Sequence, residues 1–366
     1  MTGLLGLGGD REPLQSCGTI APLRFTDMMT QIPIELTGGI TASNICYETF
    51  AKNVWNYIMN FYPEGPKPYM KMDVFLTLLY RTTELMEKET SIIELHGEVT
   101  VMGPIFGEGD SLITLLSLVG MPPQRTYLFL GCYFGLGFAP LESLVLLFCL
   151  KCLYPTKVYL LKGHLEEPAS IKNLGLDDWL LRRKIPPESV TRVSEIVMRT
   201  VAQMPIGAMI GQKILCLPGG PGPIIREQGL AALKNCTRSS MNQLDRSICM
   251  EAAWAVMKLE SNPVTVNDGI PTFTESQCSA FCKANGLVLL VRGRQLVDEG
   301  FLNYPKEVLT IVSAVAYLDN FRNYAAAITF QGLNASVVRY KMDEGEPKSL
   351  DIVKPGIGRN SMALPT

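Results

Sequence analysis

Residues 127–137 read YLFLGCYFGLG, and this stretch decides the fold prediction. Four apolar residues in a row followed by glycine predict a short strand buried on both faces, since a strand with one exposed face would alternate with polar residues. The glycine at position 131 allows a sharp turn at the carboxyl end of the strand. Ligands of α/β proteins collect at such strand ends, so the following residues are candidates for a functional site.

The same pattern recurs along the chain. Apolar runs that end in glycine occupy Val99–Gly103, Val158–Gly163, Ile214–Gly219 and Leu287–Gly293. Helical periodicity occupies Asn44–Met59, Met72–Met86 and the apolar run Leu141–Leu153. Strands of this kind need helices or a second sheet on each face, so the sequence predicts layers of helices and strands around a large core.

Composition divides the chain into three parts. Residues 1–42 are rich in Gly, Pro and Thr without sustained periodicity, which predicts a flexible N-terminal arm. Residues 43–355 form the predicted folded domain, with a last strand near Leu350–Val353. Residues 356–366 are predicted to be a disordered tail.

Charge and histidine content exclude several function classes. The net charge of −2 over 366 residues gives no reason to expect a nucleic-acid partner, and no apolar stretch reaches the ~18 residues that span a membrane. Only two histidines are present, which excludes a site built on three or more of them. The start of the chain lacks a signal-peptide pattern, so we expect a cytoplasmic or nuclear location or both.

Ten cysteines are present, but a disulfide framework is typical of small, secreted, core-poor chains. We therefore expect most of these thiols to be reduced and buried. Cys149 and Cys152 have CxxC spacing inside an apolar helical run, where core packing is favoured over zinc or redox chemistry.

Six segments at predicted strand ends carry a resemblance to a known family. They are Gly103–Glu108, Gly131–Gly137, Leu161–Glu166, Pro218–Pro223, Arg292–Gln295 and Ser313–Tyr317. Their order and spacing, with framework residues such as those at 141–144, resemble the metallo-dependent serine/threonine phosphoprotein phosphatases, above all the type 1 catalytic subunit, over residues 70–355. The resemblance implies a calcineurin-like metallophosphatase fold of the α/β class, in which a central β-sandwich of mixed sheets is flanked by helices.

The resemblance implies that members of this family bind two divalent metal ions (Mn, or Fe and Zn). These ions lower the pKa of a bridging water and hold the phosphoryl group. In the pattern GDxHG, the aspartate and histidine ligand positions here hold Pro104 and Phe106. In GDxVDRG, the bridging aspartate, the second aspartate and the phosphate-binding arginine correspond to Cys132, Gly135 and Leu136.

The later motifs are changed as well. In GNHE, His164 replaces the asparagine ligand, Leu165 replaces the catalytic histidine, and only Glu166 is unchanged. Two further histidine ligand positions hold Pro218 and Arg294, and Asp268 stands where the family has another arginine.

All six metal-ligand positions are thus substituted. Proline and phenylalanine side chains offer no lone pair, and a guanidinium cannot coordinate a cation. The two coordinating types left, Cys132 and His164, are too few for a dinuclear centre. We therefore expect no metal, no cofactor and no catalytic residues, although the family is enzymatic.

The substituted residues suggest what occupies the former site. Pro104, Phe106, Leu136, Leu165 and Pro218 are predicted to fill it by apolar packing. Arg294 is predicted either to pair with Glu166 or Asp110, or to point to solvent.

Two possible binding surfaces remain. Residual anion contacts could come from Lys162, His164, Arg292, Arg294 and Tyr317. The resemblance also implies a hydrophobic groove for regulators, in which Ile214 and Leu289 match apolar positions while Asn303, Asn334 and Ser336 replace apolar or thiol residues. We expect the chain to bind protein partners, which the sequence does not identify, and to bind neither nucleic acid nor membrane. We expect it to be a monomer or a subunit of a hetero-complex.

Three functions remain open at this point. The first is a pseudophosphatase that acts by protein binding or scaffolding. The second is an active hydrolase, either a metal-dependent serine/threonine phosphatase or an enzyme with an unfamiliar centre around Cys132 and His164. The third is a phosphopeptide reader that does not hydrolyse its ligand.

Overall fold

A computed structural model describes residues 47–52, 54–55, 72–238, 242–259, 269–319, 321–343 and 346–353. The predicted arm at 1–42, the tail at 356–366 and both domain boundaries lie outside these ranges and stay predictions. Of the helix predicted at Asn44–Met59, residues 47–52 and 54–55 are described and are helical.

Fourteen strands are present in the described residues. They are β1 (Ile92–Leu95), β2 (Glu98–Met102), β3 (Thr126–Phe129), β4 (Val158–Leu160), β5 (Gly207–Ile210), β6 (Ile214–Leu217), β7 (Val256–Lys258), β8 (Thr272–Thr274), β9 (Leu289–Arg292), β10 (Phe301–Asn303), β11 (Val308–Ile311), β12 (Ala325–Gln331), β13 (Asn334–Asp343) and β14 (Glu346–Val353). The first sheet has the order β1-β5-β6-β9-β11-β10 and the second the order β14-β13-β12-β2-β3-β4, while β7 and β8 form a small pair.

Helices connect most of these strands. The longer ones are Met72–Glu87, Gly109–Val119, Pro140–Leu153, Pro187–Ala202, Gln243–Trp254 and Glu275–Ala284, and the shorter ones are Pro168–Asn173, Leu176–Arg182, Pro223–Gln228 and Leu230–Asn235. Two 3-10 turns occupy His164–Glu166 and Tyr317–Asp319.

The two large sheets pack face to face. Val101 and Ile328 from the second sheet are buried in one apolar cluster with Cys216 and Val291 from the first. Separate clusters cover the outer faces: the helices at 72–87, 140–153 and 187–202 pack on the second sheet, and those at 243–254 and 275–284 pack on the first. The predicted sandwich of mixed sheets flanked by helices is confirmed.

The parallel strand pairs bring distant loops to one edge of the sandwich. In the second sheet, β2, β3 and β4 are parallel neighbours. In the first sheet, β6, β9 and β11 are parallel neighbours. Because parallel strands share the position of their carboxyl ends, the six loops that follow these strands, called the strand-end loops below, meet at one place.

The helix Pro140–Leu153 is buried along nearly its whole length. Cys149 and Cys152 are both buried in the core there, so the core-packing interpretation is confirmed. The helix also buries a carboxylate, because Glu142 accepts a hydrogen bond from Nε of Arg183, and both side chains are almost completely shielded from solvent.

We expect Glu142→Gln to destabilise the protein by about 3 kcal/mol, because the substitution removes the negative charge that faces the buried guanidinium of Arg183. Urea unfolding followed by circular dichroism would measure the change. The matched control is Glu84→Ala, which removes an exposed carboxylate paired with Arg81 and Lys88 and should leave the urea midpoint nearly unchanged. Equal midpoints for the two variants would contradict the prediction.

Candidate active site

Backbone contacts hold the strand-end loops together. The peptide oxygen of Cys132 accepts hydrogen bonds from the backbone N–H groups of Ile105 (3.2 Å) and Phe106 (2.7 Å). Gly131 and Gly163 approach so closely that a Cβ atom on Gly131 would lie 2.3 Å from the Gly163 nitrogen. Glycine is therefore needed at these positions because the two loops pack so closely. At Gly131 the turn predicted from the sequence is a second reason.

Glu166 is the centre of this arrangement. Its buried carboxylate accepts backbone N–H hydrogen bonds from Cys132 (2.7 Å), Tyr133 (2.8 Å), Gly163 (3.0 Å) and Phe134 (3.3 Å). Burial raises the pKa of Glu166 to about 7, although the hydrogen bonds from these backbone groups act in the opposite direction. The residue that is unchanged in the GNHE pattern thus fastens the loop after β3 to the loop after β4.

Apolar side chains occupy the space between the loops. Phe106 and Cys132 are buried in one cluster with Val312 and Ala314, and Leu165 packs against it. The ring of Phe106 lies 4.6 Å from that of Tyr317, centroid to centroid. This side-chain cluster stands where the family resemblance implies metal ligands.

The two proline positions are buried too. Pro104 lies against Gly293, where a Cβ atom would come within 2.6 Å of the proline Cδ. The carbonyl oxygen of Pro218 accepts a hydrogen bond of 3.0 Å from the Gly293 N–H. Pro104, Phe106, Leu165 and Pro218 therefore lie in or against the packed loops as apolar filling.

The prediction that Leu136 belongs to this filling is wrong, because 61% of its surface is exposed. The loop turns over Phe106: a Cβ atom on Gly135 would lie 2.3 Å from the Phe106 oxygen, and the Gly137 N–H donates to that same oxygen at 2.9 Å. Leu136 lies between these two contacts and is left on the outside of the turn.

Cys132 and His164 form a direct pair. The thiol sulfur lies 3.1 Å from Nδ1 of His164. Burial raises the pKa of Cys132 well above its ordinary value, with a further contribution from Glu166. Burial and the neighbouring Arg294 lower the pKa of His164 to about 3. At neutral pH both partners are therefore uncharged.

Neither alternative for Arg294 is correct. Among the described residues, neither carboxylate pairs with Arg294: Glu166 accepts from backbone N–H groups, and Asp110 accepts from the N–H of Ser111 at 2.7 Å. The side chain is half-buried, with its guanidinium carbon 5.1 Å from the ring centroid of Trp254. Burial lowers the pKa of Arg294 accordingly.

Sequence reasoning missed Trp254. This residue ends the helix Gln243–Trp254. Its ring contacts both Arg294 and His164, with 5.0 Å between the ring centroids of Trp254 and His164. The available signal was weak: Trp254 is one of three tryptophans in the chain, and it follows an amphipathic run outside every strand-end motif.

The other predicted anion contacts are used by the chain itself. Lys162 forms an ion pair of 2.9 Å with Glu167. Arg292 is completely buried and donates to the carbonyl groups of Gly219 and Ala255 and to the side chain of Gln295. Burial lowers the pKa of Arg292 to about 9.

The remaining predicted positions lie away from these loops or outside the described residues. Asp268 lies outside the described residues. Ile214 and Leu289, matched above to a regulator groove, are buried between the two sheets. Asn303 and Asn334 are exposed and Ser336 is half-buried.

The residues at the strand-end loops do not fit a dinuclear metal centre. Across the described part of the chain, no group of three or more His, Cys, Asp and Glu side chains is placed to hold a metal ion. At the former ligand positions the donor set is one thiol and one imidazole, with the carboxylate of Glu166 already saturated by N–H groups.

Three former-site positions keep an unusual backbone. Phe106, Cys132 and Arg294 have positive φ angles of 54°, 57° and 69°. The left-handed region costs a non-glycine residue about 1 kcal/mol. The packing of the strand-end loops against one another therefore holds these three positions in a strained backbone conformation.

Comparison with known proteins agrees with this architecture, although no family model matches the chain. A serine/threonine-protein phosphatase of Caenorhabditis elegans, PP1-delta, is 30% identical over 269 residues, which is 72% of this chain and 84% of that protein.

The chain belongs to the serine/threonine protein phosphatase family.

Another C. elegans serine/threonine-protein phosphatase is 28% identical over 296 residues, and the chain spans 61% of that relative's length. Among solved structures, a Saccharomyces cerevisiae protein serine/threonine phosphatase with similarity to human phosphatase PP5 matches with a TM-score of 0.68 and 22% identity, covering 76% of this chain and 93% of that one. The calcineurin-like fold expected from the sequence is thus confirmed.

The neutral state of His164 predicts a pH-dependent stability. In the unfolded chain its pKa is about 6.5, so folding must release a proton below that pH. The stabilising contribution is present above pH 6.5 and is lost as the pH falls towards 3. Between pH 8 and pH 5 we expect the wild type to lose about 2 kcal/mol more stability than His164→Gln.

Urea unfolding at both pH values measures this difference. His96→Gln is the matched control, since His96 is exposed and its replacement should leave the pH dependence of the wild type intact. Identical pH dependence in the wild type and His164→Gln would contradict a neutral, half-buried imidazole.

Proposed function

We propose that this chain is a catalytically inactive serine/threonine phosphatase-like protein that acts by binding other proteins. The observation that carries the proposal is the apolar cluster of Phe106, Cys132, Val312 and Ala314 at the meeting point of the strand-end loops. A family member that cleaves phosphate esters would need oxygen and nitrogen ligands there to hold two divalent ions. An apolar cluster with a single protonated thiol offers too few ligands and no room for charge.

A hydrolase centred on Cys132 and His164 is the second candidate, and their contact of 3.1 Å is the observation that favours it. Nucleophilic cysteines act as thiolates, which positive neighbours or a helix N-terminus stabilise. Here the thiol is buried and the negative carboxylate of Glu166 lies near it, so its pKa is raised. The contact therefore supports a neutral packing pair more than an activated nucleophile.

A phosphopeptide reader receives less support from the charges. Lys162 is paired with Glu167, Arg292 is fully used by backbone and side-chain oxygens, and His164 is neutral. Within the described chain, Arg294 also has no ion-pair partner, but unlike Arg292 it is not enclosed by carbonyl oxygens, and it is half-buried against Trp254. One such cation is a poor basis for selecting a doubly charged phosphate.

Exposed apolar side chains at the mouth of the site support a protein-binding role. Leu136 is 61% exposed and Phe321 is 46% exposed. Both adjoin Tyr317: the backbone of Leu136 lies near its hydroxyl group, and the Phe321 N–H donates to its carbonyl oxygen at 3.2 Å. Neighbouring exposed apolar groups are typical of surfaces that contact another protein. The location that we propose for this binding is the cytoplasm, the nucleus or both.

Purified protein should show no turnover of p-nitrophenyl phosphate or of a phosphoserine peptide with Mn²⁺ added, and far less than one metal ion per chain by mass spectrometry. The reason is the missing ligand set at the strand-end loops. Cys132→Ser and His164→Gln serve as matched variants. Turnover that both variants abolish would favour the cysteine hydrolase, and turnover with near-stoichiometric metal would favour an active metallophosphatase.

Affinity purification with mass spectrometry should yield partners that the double variant Leu136→Asp/Phe321→Asp no longer retains, because two charges would disrupt an apolar contact. Leu181→Asp, at another exposed leucine, is the matched control and should retain them. Capture that survives the double variant but is lost in excess inorganic phosphate would contradict the proposal and favour phosphate recognition.

A further inference from the structure

Two cysteines outside the strand-end loops face each other. Cys236 follows the helix Leu230–Asn235, and Cys249 lies in the helix Gln243–Trp254. Their sulfur atoms are 3.5 Å apart, and the thiol of Cys236 also contacts the carbonyl oxygen of Asp245 at 3.5 Å. A disulfide needs a sulfur separation of about 2.0 Å, which a small movement of the two side chains would provide.

The two sides of this pair are held by different parts of the molecule. The carbonyl oxygen of Cys236 accepts a hydrogen bond of 2.6 Å from the hydroxyl of Ser91. Two residues later, Arg238 donates to the carbonyl oxygens of Met86, Glu89 and Gln203. The segment around Cys236 is therefore anchored to the residues before β1 and after the helix Pro187–Ala202.

Cys249 lies in a helix that packs against the strand-end loops. Its helix ends at Trp254, whose ring contacts His164 and Arg294. A disulfide between Cys236 and Cys249 would thus link this helix covalently to the anchored segment.

The surroundings favour Cys249 as the reactive sulfur. The hydrogen bond from Cys236 lowers the pKa of the Cys249 thiol, and the ammonium group of Lys162 acts in the same direction. Both residues are buried, with 4% of Cys236 and 8% of Cys249 exposed, so the oxidant has to be a small molecule. Low pKa and a nearby second thiol are the usual properties of redox-sensitive cysteines.

We propose that Cys236 and Cys249 form a reversible disulfide with hydrogen peroxide as the oxidant. The thiolate of Cys249 attacks a peroxide oxygen, the O–O bond breaks, and the leaving hydroxide takes up a proton to become water. Cys249 is then a sulfenic acid. The sulfur of Cys236 attacks the Cys249 sulfur, the S–O bond breaks, and the hydroxide leaves with the Cys236 proton as a second water. Two thiols and one peroxide thus give one disulfide and two waters.

Peptide mapping of the full chain tests the proposal directly. Cleavage after Lys234, Arg238, Arg246 and Lys258 places Cys236 on the peptide 235–238 and Cys249 on the peptide 247–258. After peroxide treatment, alkylation of free thiols and trypsin digestion, the cross-linked pair of these peptides should become the main form of both cysteines. Dithiothreitol added before alkylation should restore the two separate peptides.

Cys249→Ser should abolish the cross-link, whereas Cys278→Ser should leave it unchanged. Cys278 is a suitable control because it is a buried helical cysteine hydrogen-bonded to another thiol, Cys282. The wild-type digest alone decides the matter if a variant fails to fold. Recovery of Cys236 and Cys249 as alkylated thiols, or as sulfinic acids without the cross-link, would overturn the proposal.

Discussion

The carboxylate of Glu166 holds together the two loops that follow β3 and β4, and the other strand-end loops pack onto this pair. A buried carboxylate is costly unless its oxygens are saturated, and here four backbone N–H groups from the two loops provide the saturation. The meeting of the loops in turn requires glycine at 131 and 163, because a Cβ atom would collide with the opposite backbone. The loops of the site are thus held together by contacts of the chain with itself.

Because contacts of the backbone hold the loops together, a phosphatase framework can accommodate different side chains at these positions. The positive φ angles at Phe106 and Cys132 follow from the course of the loops, so these positions keep their backbone while the side chains become part of an apolar cluster. Membership of a family therefore follows from the framework, while activity depends on a handful of side chains that the framework carries. The proposal of an inactive, protein-binding member rests on those side chains.

Charges around the site follow the same logic. Burial makes the charged forms of Cys132 and His164 unfavourable. It also lowers the pKa of Arg292 to about 9, while that side chain donates to Gly219, Gln295 and Ala255. Arg294 instead lies over Trp254. The polar residues that remain at the site are used mainly to stabilise the loops against each other.

The sequence by itself determined the layered α/β fold, the family and several of the strands and helices, because apolar runs with terminal glycines and motif spacing are local properties of the chain. It also led to the prediction that the metal-ligand residues are substituted. Only the tertiary structure decided which side chains fill the space between the loops. Leu136 is outside it because contacts at Gly135 and Gly137 turn the loop over Phe106. Trp254 and the thiol pair of Cys236 and Cys249 depend on how helices pack, and such long-range packing leaves no periodic signal in a sequence.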